Sequence, residues 1–226
     1  MFKLSPSDFA YLYEDCKLCY WLKVKHGIVP PAGIFPGVFS SMNTMVQGQM
    51  VGHKLSEFGK DLPDIEVIKQ EGYSTSKPIP GTSVYISGKY DLLCKNSDGT
   101  YTLIDLKISK PEVGKIEKYK TQLGSYKYAL EHPQDGESFK ITKLALLIFY
   151  PEKVKFGARG AVIDFPAKWF EIPIDDDSFI AFTREVDTLL AGEAPEESKT
   201  CGLCKYRHQG ETISHHIDNS TMPDGG

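Results

Sequence analysis

The chain has 226 residues, of which 41% are hydrophobic and 12% aromatic, a composition typical of one globular domain with a substantial core. It contains no internal repeat and no apolar run long enough to span a membrane. Its formal net charge of −4 excludes a strongly basic protein that coats nucleic acid passively, but not a nuclease, whose carboxylates need only a bound cation and a local basic groove.

The first third of the chain predicts two helices, the loop between them and one strand. Ser5 or Ser7 can cap the first helix, because a hydroxyl side chain can accept from the free N–H groups of a first turn. In chain order, the elements are a helix to about residue 26, a loop rich in proline and glycine at residues 27–37, a helix at residues 42–58 and a strand at residues 65–74.

Two apolar runs joined by an Asp-Gly turn at residues 96–99 predict a β-hairpin. Asp91 lies in its first strand, and Asp105 and Lys107 lie near the end of the second. Because side chains in a strand alternate between faces, Asp105 and Lys107 project from one face while Leu106 points into the core. This pattern indicates a site for Mg²⁺ or Mn²⁺ and a nucleophilic water. The alternative is an edge strand with a solvated charged face.

An amphipathic helix is predicted at residues 115–130, where apolar residues recur at spacings of three and four. Gln122 and Tyr126 are four residues apart on it and are therefore neighbours on one face. The remaining elements are strands at residues 143–150 and 161–172, a helix at residues 176–190 and a polar tail from residue 209 that we expect to be disordered. A mixed sheet flanked by helices is the natural assembly of these elements.

Two C-x-x-C pairs near opposite ends of the chain predict a second metal site. They are Cys16 with Cys19 and Cys201 with Cys204. Four thiolates suit a tetrahedral Zn²⁺ or a [4Fe–4S] cluster alike. No signal peptide is visible, so we expect a cytoplasmic, reducing location, which favours metal over disulfides. The site would join the N-terminal helix to the C-terminal segment.

The order of these motifs resembles the PD-(D/E)XK nuclease superfamily, and more narrowly its RecB-like branch. The matching motifs are Leu4-Ser5-Pro6-Ser7-Asp8-Phe9 with Cys16 and Tyr20-Trp21-Leu22, then Gly52-His53, Gly88-x-x-Asp91, Asp105-x-Lys107 and Gln122-x-x-x-Tyr126. The resemblance covers residues 4–205, and its specific signal is the shared order of the motifs.

The resemblance implies a restriction-endonuclease-like α/β core and a role for each motif residue. The implied ligands of the divalent cation are Asp91, Asp105, His53 on the second predicted helix, and the backbone carbonyl of Leu106. Lys107 would position or activate the water and offset the phosphate charge. Gln122 and Tyr126 would orient Lys107 or the substrate phosphate.

A subset of RecB-like nucleases, including the CRISPR-associated adaptation exonucleases and the AddB nuclease domain, holds a [4Fe–4S] cluster with one N-terminal and three C-terminal cysteines. This chain departs from that pattern, because no cysteine follows Cys204 and Cys19 takes the place of the missing ligand. The resemblance favours the cluster, and the two-plus-two arrangement keeps Zn²⁺ as the alternative.

The sequence therefore predicts one nuclease domain at residues 1–208, followed by the tail at residues 209–226. The predicted activity is Mg²⁺- or Mn²⁺-dependent hydrolysis of DNA, as an exonuclease on single strands or DNA ends. The sequence carries no helicase motor, so we expect a helicase, recombination or repair partner to supply any unwinding, and we expect no membrane partner. The alternative is a catalytically inactive nucleic-acid-binding or scaffold protein with a nuclease-like fold and a structural site of four cysteines.

Overall fold

The computed structural model describes residues 1–31, 37–111 and 116–220, so part of the loop expected at residues 27–37 and the first residue of the helix expected at 115–130 lie outside the described residues. The strands are β1 (Phe2–Leu4), β2 (Glu66–Thr75), β3 (Val84–Lys95), β4 (Tyr101–Ile108), β5 (Ile141–Phe149), β6 (Lys153–Gly157), β7 (Gly160–Asp164) and β8 (Ala167–Ile172). The helices are α1 (Pro6–Asp8), α2 (Lys17–His26), α3 (Gly37–Met50), α4 (Ile116–Glu131), α5 (Asp176–Ala191) and α6 (Gly202–Ser220).

Six strands form a central mixed sheet in the order β1-β3-β4-β5-β8, with β2 also paired along β3. The β1–β3 and β4–β5 pairs are parallel, whereas β2–β3, β3–β4 and β5–β8 are antiparallel. Helix α4 connects β4 to β5, as the crossover between parallel neighbours requires. The predicted mixed sheet flanked by helices is therefore confirmed.

The central strands β4 and β5 are buried on both faces, which explains the continuous apolar run in β5. Alternate residues of β4 enter two different cores: Leu103 packs with Leu123 of α4 on one face, and Ile104 packs with Met50 of α3 on the other. The period-two alternation of the strand thus fixes which side chains of β4 can face α4. Asp105 and Lys107 follow Leu103 on that face.

One edge of β3 is shared by two partners. Strand β1 pairs with its beginning, where Leu4 lies opposite Ile86, and β4 pairs with its end, where Ile104 lies opposite Leu92. Between these two pairings, residues 87–91 have no strand partner on this edge among the described residues. The opposite edge is covered by β2, which pairs with β3 over nearly its whole length. The sheet therefore has an internal gap.

The N-terminal helix expected to end at residue 26 is interrupted. A π-helical turn, Phe9–Tyr13, follows α1, and the chain is extended at Cys16 (φ −162°, ψ 111°) before α2 begins. The Sγ atom of Cys16 accepts a hydrogen bond from the backbone N–H of Ser198, 3.5 Å away. Helical periodicity predicts the apolar face of this segment but not a break that depends on a partner more than 180 residues away.

The helix expected at residues 42–58 is also shorter at its C-terminal end. Helix α3 ends at Met50, and the chain turns at Gly52, whose φ of 83° favours glycine. His53 therefore lies in the turn after α3 and not on the helix. A short 3-10 turn, Leu55–Glu57, follows.

Two further expectations in the C-terminal half differ from the structure. The single strand expected at residues 161–172 is two strands, β7 in a separate hairpin with β6 and β8 beside β5. Pro166 separates them, because proline has no N–H for a ladder. The tail expected to be disordered after residue 208 continues α6 to Ser220, and residues 221–226 lie outside the described residues. None of the described helices is long and apolar enough to cross a membrane.

Candidate active site and cysteine cluster

The candidate active site begins where β3 and β4 separate. Their backbone pairing ends at Leu92 and Ile104, so Asp91 and Asp105 would form the next pair. Instead, the Oδ2 atom of Asp91 accepts a hydrogen bond from the backbone N–H of Leu106 at 2.8 Å. The side chain of Asp91 thus takes the place of a ladder hydrogen bond and is held at the gap in the sheet.

Asp105 is held from two sides. It is only 4% exposed. The Nε2 group of Gln122 donates to its Oδ1 atom at 2.9 Å, and the ammonium of Lys107 forms an ion pair with its Oδ2 atom at 2.7 Å. The hydrogen bond from α4 and the ion pair along β4 fix the carboxylate in one orientation. The structure therefore brings together Asp91, Asp105, Lys107 and Gln122, as the motif order predicted.

Gly88 and Tyr126 meet across the gap in the sheet. The hydroxyl of Tyr126 donates to the backbone carbonyl of Lys89 at 2.7 Å, one of the groups that lacks a strand partner on this edge. A Cβ atom at Gly88 would lie 2.9 Å from Pro6 Cδ and 3.2 Å from the ring of Tyr126. The glycine in the Gly88-x-x-Asp91 motif is thus required by the close approach of α1 and α4 to β3.

These residues line one cavity of about 360 Å³. Its lining side chains come from β1, the segment that follows it, β2, β3, β4 and α4. The charged and polar residues of the lining are Lys3, Ser5, Ser7, Tyr73, Ser87, Lys89, Asp91, Asp105, Lys107, Gln122 and Tyr126. The cavity therefore combines two acids with three lysines and several hydroxyl groups.

The electrostatics of the site are dominated by burial of two acids side by side. Burial raises the pKa of Asp91 to about 6, and the negative charge of Asp105 adds to the effect. Burial also raises the pKa of Asp105, against the opposing influence of Lys107. Burial would lower the pKa of Lys107, but the charges of Asp105 and Asp91 hold it above its ordinary value. One ammonium thus balances only one of the two carboxylates.

This donor set fits a hard divalent cation. Carboxylate and amide oxygens are the ligands that Mg²⁺ and Mn²⁺ prefer. The Oε1 atom of Gln122 is buried beside Asp105 and has no hydrogen-bond partner among the described residues. A cation would also offset the remaining negative charge that raises the pKa of Asp91. The backbone of Leu106 lies at this position through its N–H bond to Asp91, and a role for its carbonyl as a ligand stays a prediction.

His53 does not join these residues. Its ring lies outside the cavity lining, its side chain is 55% exposed, and its Nδ1 atom lies 3.1 Å from Oε2 of Glu57. The Gly52-His53 motif was expected to present the histidine from a helix, whereas the turn at Gly52 places it after the end of α3. Its role as a cation ligand stays a prediction that the arrangement of the site does not support.

Tyr119 supports Lys107, although no sequence motif identifies it as a site residue. The ammonium of Lys107 lies 5.4 Å from the centre of the Tyr119 ring, a distance at which a cation is attracted to the ring face. The hydroxyl of Tyr119 lies 3.0 Å from that of Tyr11. Tyr119 is three residues before Gln122 on α4, so the same helical spacing that identified Gln122 and Tyr126 could have indicated it.

The four cysteines of the two C-x-x-C pairs form one buried cluster. All their Sγ atoms lie within 4.8 Å of one another. Three of the six separations are 3.9 Å between Cys16 and Cys204, 3.8 Å between Cys19 and Cys201 and 3.6 Å between Cys19 and Cys204. All five cysteines are in the described part of the chain, and none forms a disulfide. The predicted connection between the N- and C-terminal segments is therefore confirmed.

The two pairs are presented in the same way. Cys16 is at the N-cap position of α2 and Cys19 lies in the first turn of that helix. Cys201 directly precedes α6, and Cys204 lies in its first turn. The N-terminal ends of two helices thus meet at the cluster, and their partial positive charge favours thiolates there.

The thiols of the cluster differ in pKa. Burial would raise the pKa of Cys16, but hydrogen bonds from the backbone N–H groups of Ser198 and Cys19 lower it to about 7. Burial raises the pKa of Cys19 to about 12 and also raises that of Cys204. A metal ion would be needed to keep the sulfurs of Cys19 and Cys204 deprotonated at neutral pH.

A family model identifies the superfamily of the chain. A family model described as the PD-(D/E)XK nuclease superfamily matches residues 35–209, and the chain belongs to that superfamily. Among solved structures, the chain is similar to the crystal structure of SSO0001, with 13% identity over 85% of this chain and 78% of that chain and a TM-score of 0.44. It is also similar to the crystal structure of a repair endonuclease from Pyrococcus abyssi, with 15% identity over 54% and 41% and a TM-score of 0.24. No curated protein matches the chain.

Proposed function

We propose that the protein is a Mg²⁺- or Mn²⁺-dependent nuclease of the RecB-like branch that hydrolyses phosphodiester bonds in DNA. The observation that carries this proposal is the arrangement of Asp91, Asp105, Lys107 and Gln122 at the gap between β3 and β4, with Asp105 and Gln122 buried. Burial of the Asp91 and Asp105 carboxyl groups raises their pKa values and costs free energy of folding, a cost that is typical of functional sites. A purely structural domain would gain stability by replacing them.

Each residue has a separate task in this reaction. When bound by Asp91 and Asp105, a divalent cation would polarise the scissile phosphate and lower the pKa of water. Lys107 places a positive charge beside both acids, where it can position the attacking water and offset charge on the phosphate. Gln122 keeps Asp105 in place through its amide. Tyr126 acts indirectly, because its hydroxyl donates a hydrogen bond to the backbone carbonyl of Lys89 and so holds that part of β3 in place.

Cleavage of labelled DNA by Lys107→Ala and Asp105→Asn variants tests the proposal. Wild-type protein is expected to degrade DNA with Mn²⁺ or Mg²⁺, while each variant loses activity at least a hundredfold and keeps its fold and its DNA binding. Lys153→Gln, on the exposed β6–β7 hairpin, is the matched control for loss of a lysine charge. If the wild type binds DNA and leaves it intact with every divalent cation, the inactive binding or scaffold protein becomes the better description.

We further propose that the substrate is single-stranded DNA or a DNA end, and that the protein acts as an exonuclease beside a helicase or another recombination or repair protein. The support is the RecB-like order of the motifs and the cavity, which is shared by six segments of the chain. Circular and linear single strands of equal length distinguish the outcomes. An exonuclease degrades the linear strand and spares the circle, whereas cleavage of both at similar rates would indicate an endonuclease.

For the cysteine cluster, we propose a structural metal, and the separations of the sulfur atoms favour one Zn²⁺. With a Zn–S bond of about 2.3 Å, tetrahedral geometry places ligand sulfurs roughly 3.8 Å apart. Three of the six sulfur separations are 3.6–3.9 Å, and all four sulfurs lie within 4.8 Å of one another. A [4Fe–4S] cluster, which the resemblance implies, binds each thiolate to a different iron and holds them farther apart. Anaerobically purified protein is expected to be colourless with one zinc per chain. A brown sample with iron and sulfide would establish the cluster instead.

A further inference from the structure

A second group of polar residues lines the same cavity and has no part in the reaction described above. Strand register places these residues together: Lys3 is paired with Tyr85, Tyr73 with Lys89 and Thr75 with Ser87. Directly paired residues share a face of the sheet, and so do alternate residues along β3. Lys3, Tyr73, Ser87 and Lys89 therefore project from one face.

Hydrogen bonds join this group into one array. The ammonium of Lys3 donates to the hydroxyl of Tyr73 at 3.1 Å. That hydroxyl lies 2.8 Å from Oγ of Ser87, which lies 3.0 Å from Oγ1 of Thr75. Ser87 is buried, whereas the side chain of Tyr73 is 62% exposed. A buried hydroxyl thus anchors an exposed phenol, and the phenol in turn fixes the position of a lysine.

Lys3 is unusual among the lysines of the cavity because it forms no ion pair with the residues that the structure describes. Lys107 is paired with Asp105, and Lys89 is paired with Glu71 at 3.1 Å. The ammonium of Lys3 has three donor hydrogens, of which one is directed to Tyr73. Lys3 is therefore available to an anion that enters the cavity.

The position of this array relative to the acids suits a strand of nucleic acid. Tyr73 is paired with Lys89, two residues from Asp91, or about 7 Å along β3. Around the cavity, the three lysines are balanced by the three acids Glu71, Asp91 and Asp105. A bound divalent cation would leave an excess of two positive charges, which favours a polyanion that extends beyond the phosphate at the acids.

We propose that Lys3 and Tyr73, supported by Ser87, form a phosphate-binding subsite that holds the substrate strand next to the phosphate that is cleaved. The subsite rests on the proposed nuclease function. Lys3 supplies the positive charge. The hydroxyl of Tyr73 holds the Lys3 ammonium in position and can itself donate to a phosphate oxygen, and Ser87 fixes the phenol of Tyr73. The two residues bind and position the strand but take no part in the chemical step.

Binding of a labelled single-stranded oligonucleotide to the full chain tests the subsite. The measurements use the Asp105→Asn background so that the oligonucleotide stays intact, and they cover a range of salt concentrations. Lys3→Gln is expected to weaken binding about fivefold at low salt and to reduce the slope of log K against log salt by about 0.7, the value for one phosphate contact on a single strand. Lys3→Arg is expected to restore both quantities. Tyr73→Phe, which keeps the ring, is expected to weaken binding about threefold without changing the slope.

Lys153→Gln is the matched control, since Lys153 is exposed on the β6–β7 hairpin and lies outside the cavity. If Lys3→Gln binds DNA with the same affinity and salt slope as Lys153→Gln, the subsite is wrong. Thermal melting verifies that each variant is folded, and Tyr73→Phe provides an independent test should Lys3→Gln be unstable.

The outcome for the subsite is separate from the outcome for the nuclease function. If wild-type protein cleaves no DNA and Lys3→Gln still lowers the salt slope, the subsite stands and the nuclease proposal falls. If the wild type cleaves DNA and the Lys3→Gln variant has the same KM as the wild type, the nuclease proposal stands and the subsite proposal falls.

Three single-stranded substrates identify which phosphate the subsite binds: a linear strand with a 5′-phosphate, a linear strand with a 5′-hydroxyl and a circular strand. An effect of Lys3→Gln that is restricted to the strand with the 5′-phosphate indicates a terminal phosphate. An equal effect on all three strands indicates an internal phosphate.

Discussion

The carboxylate of Asp91 accepts a hydrogen bond from the backbone N–H of Leu106 at 2.8 Å, one residue pair beyond the last pairing between β3 and β4. Leu106 lies between Asp105 and Lys107, so this bond fixes the distance between Asp91 on β3 and the other two residues on β4. The same bond keeps the two strands together where their backbones separate. Asp91 thus has a structural role that is distinct from the charge that its proposed chemistry requires.

This distinction gives a prediction for Asp91→Asn. The amide keeps an oxygen that can accept from Leu106 but removes the charge, so the variant is expected to be inactive and, without metal, more stable than the wild type. Burial raises the pKa of Asp91 to about 6 in the folded state, against an unfolded value of about 3.9. The folded state therefore binds more protons between these values, and the contribution of Asp91 to stability falls as pH rises from 4 to 6.

Thermal or urea unfolding in EDTA measures this effect. At pH 7 to 8, Asp91→Asn is expected to exceed the wild type by on the order of 2 kcal/mol, and the difference is expected to disappear below about pH 4. Mg²⁺ or Mn²⁺ should stabilise the wild type and leave the variant unchanged. A variant that is less stable than the wild type by the same amount at every pH would show that the carboxylate is needed for the fold and that burial does not penalise its charge.

Gly88 provides a test of the packing around the gap. A Cβ atom there would meet Pro6 at 2.9 Å and Tyr126 at 3.2 Å, so Gly88→Ala must displace α1 or the Tyr126 ring. We expect a loss of about 1–3 kcal/mol in the free energy of unfolding. We also expect a larger loss of cleavage, because Gly88 lines the same cavity as Tyr126 and Asp91. Gly157→Ala, where no atom lies within 4 Å of the new Cβ, is the control. Equal stability of the two variants would contradict the close approach.

The parts of the site that the sequence could predict are those fixed by local geometry. The Asp-Gly turn sets the hairpin, with Gly99 at a φ of 83°, and strand alternation places Asp105 and Lys107 on one face. Helical spacing places Gln122 and Tyr126 side by side on α4. Each of these relationships spans fewer than about ten residues of chain, or follows from the residue period of one strand or one helix.

The relationships that sequence could not predict are nonlocal. Strand β1 has only three residues, too few to show alternation, and it gains its place by pairing with β3 more than 80 residues away. The contact between Lys3 and Tyr73 depends on that pairing. His53 was misplaced for a related reason, because apolar periodicity continues past Met50 whereas the backbone turns at Gly52.

Tyr119 offers a prediction about how Lys107 is positioned. Tyr119→Leu removes the ring face that lies 5.4 Å from the Lys107 ammonium and is expected to lower kcat about tenfold with little change in KM. Tyr119→Phe keeps the ring and removes only the contact with the hydroxyl of Tyr11, so its kcat is expected to stay within about twofold of wild type. Steady-state kinetics with both variants checks this. A similar loss in both would assign the effect to the hydroxyl pair and not to the ring.

The cysteine cluster and the one cysteine outside it allow a matched comparison. Cys16→Ser removes one of the four sulfurs that lie within 4.8 Å of one another, whereas Cys94→Ser changes an equally buried thiol in the core between the sheet and α3. If the cluster holds a structural metal, Cys16→Ser is expected to lose most of the bound metal and to lower Tm by about 10 °C, because the junction between α2 and α6 opens.

Cys94→Ser is expected to lower Tm through the burial of an unpaired hydroxyl and to keep the full metal content. Elemental analysis together with thermal melting separates the two effects. A chelator should bring the wild type down to the Tm of Cys16→Ser while leaving that variant unchanged. Equal metal content in Cys16→Ser and Cys94→Ser would remove the case for a four-sulfur site. The junction between the two ends of the chain would then rest on the packing of α2 and α6 alone.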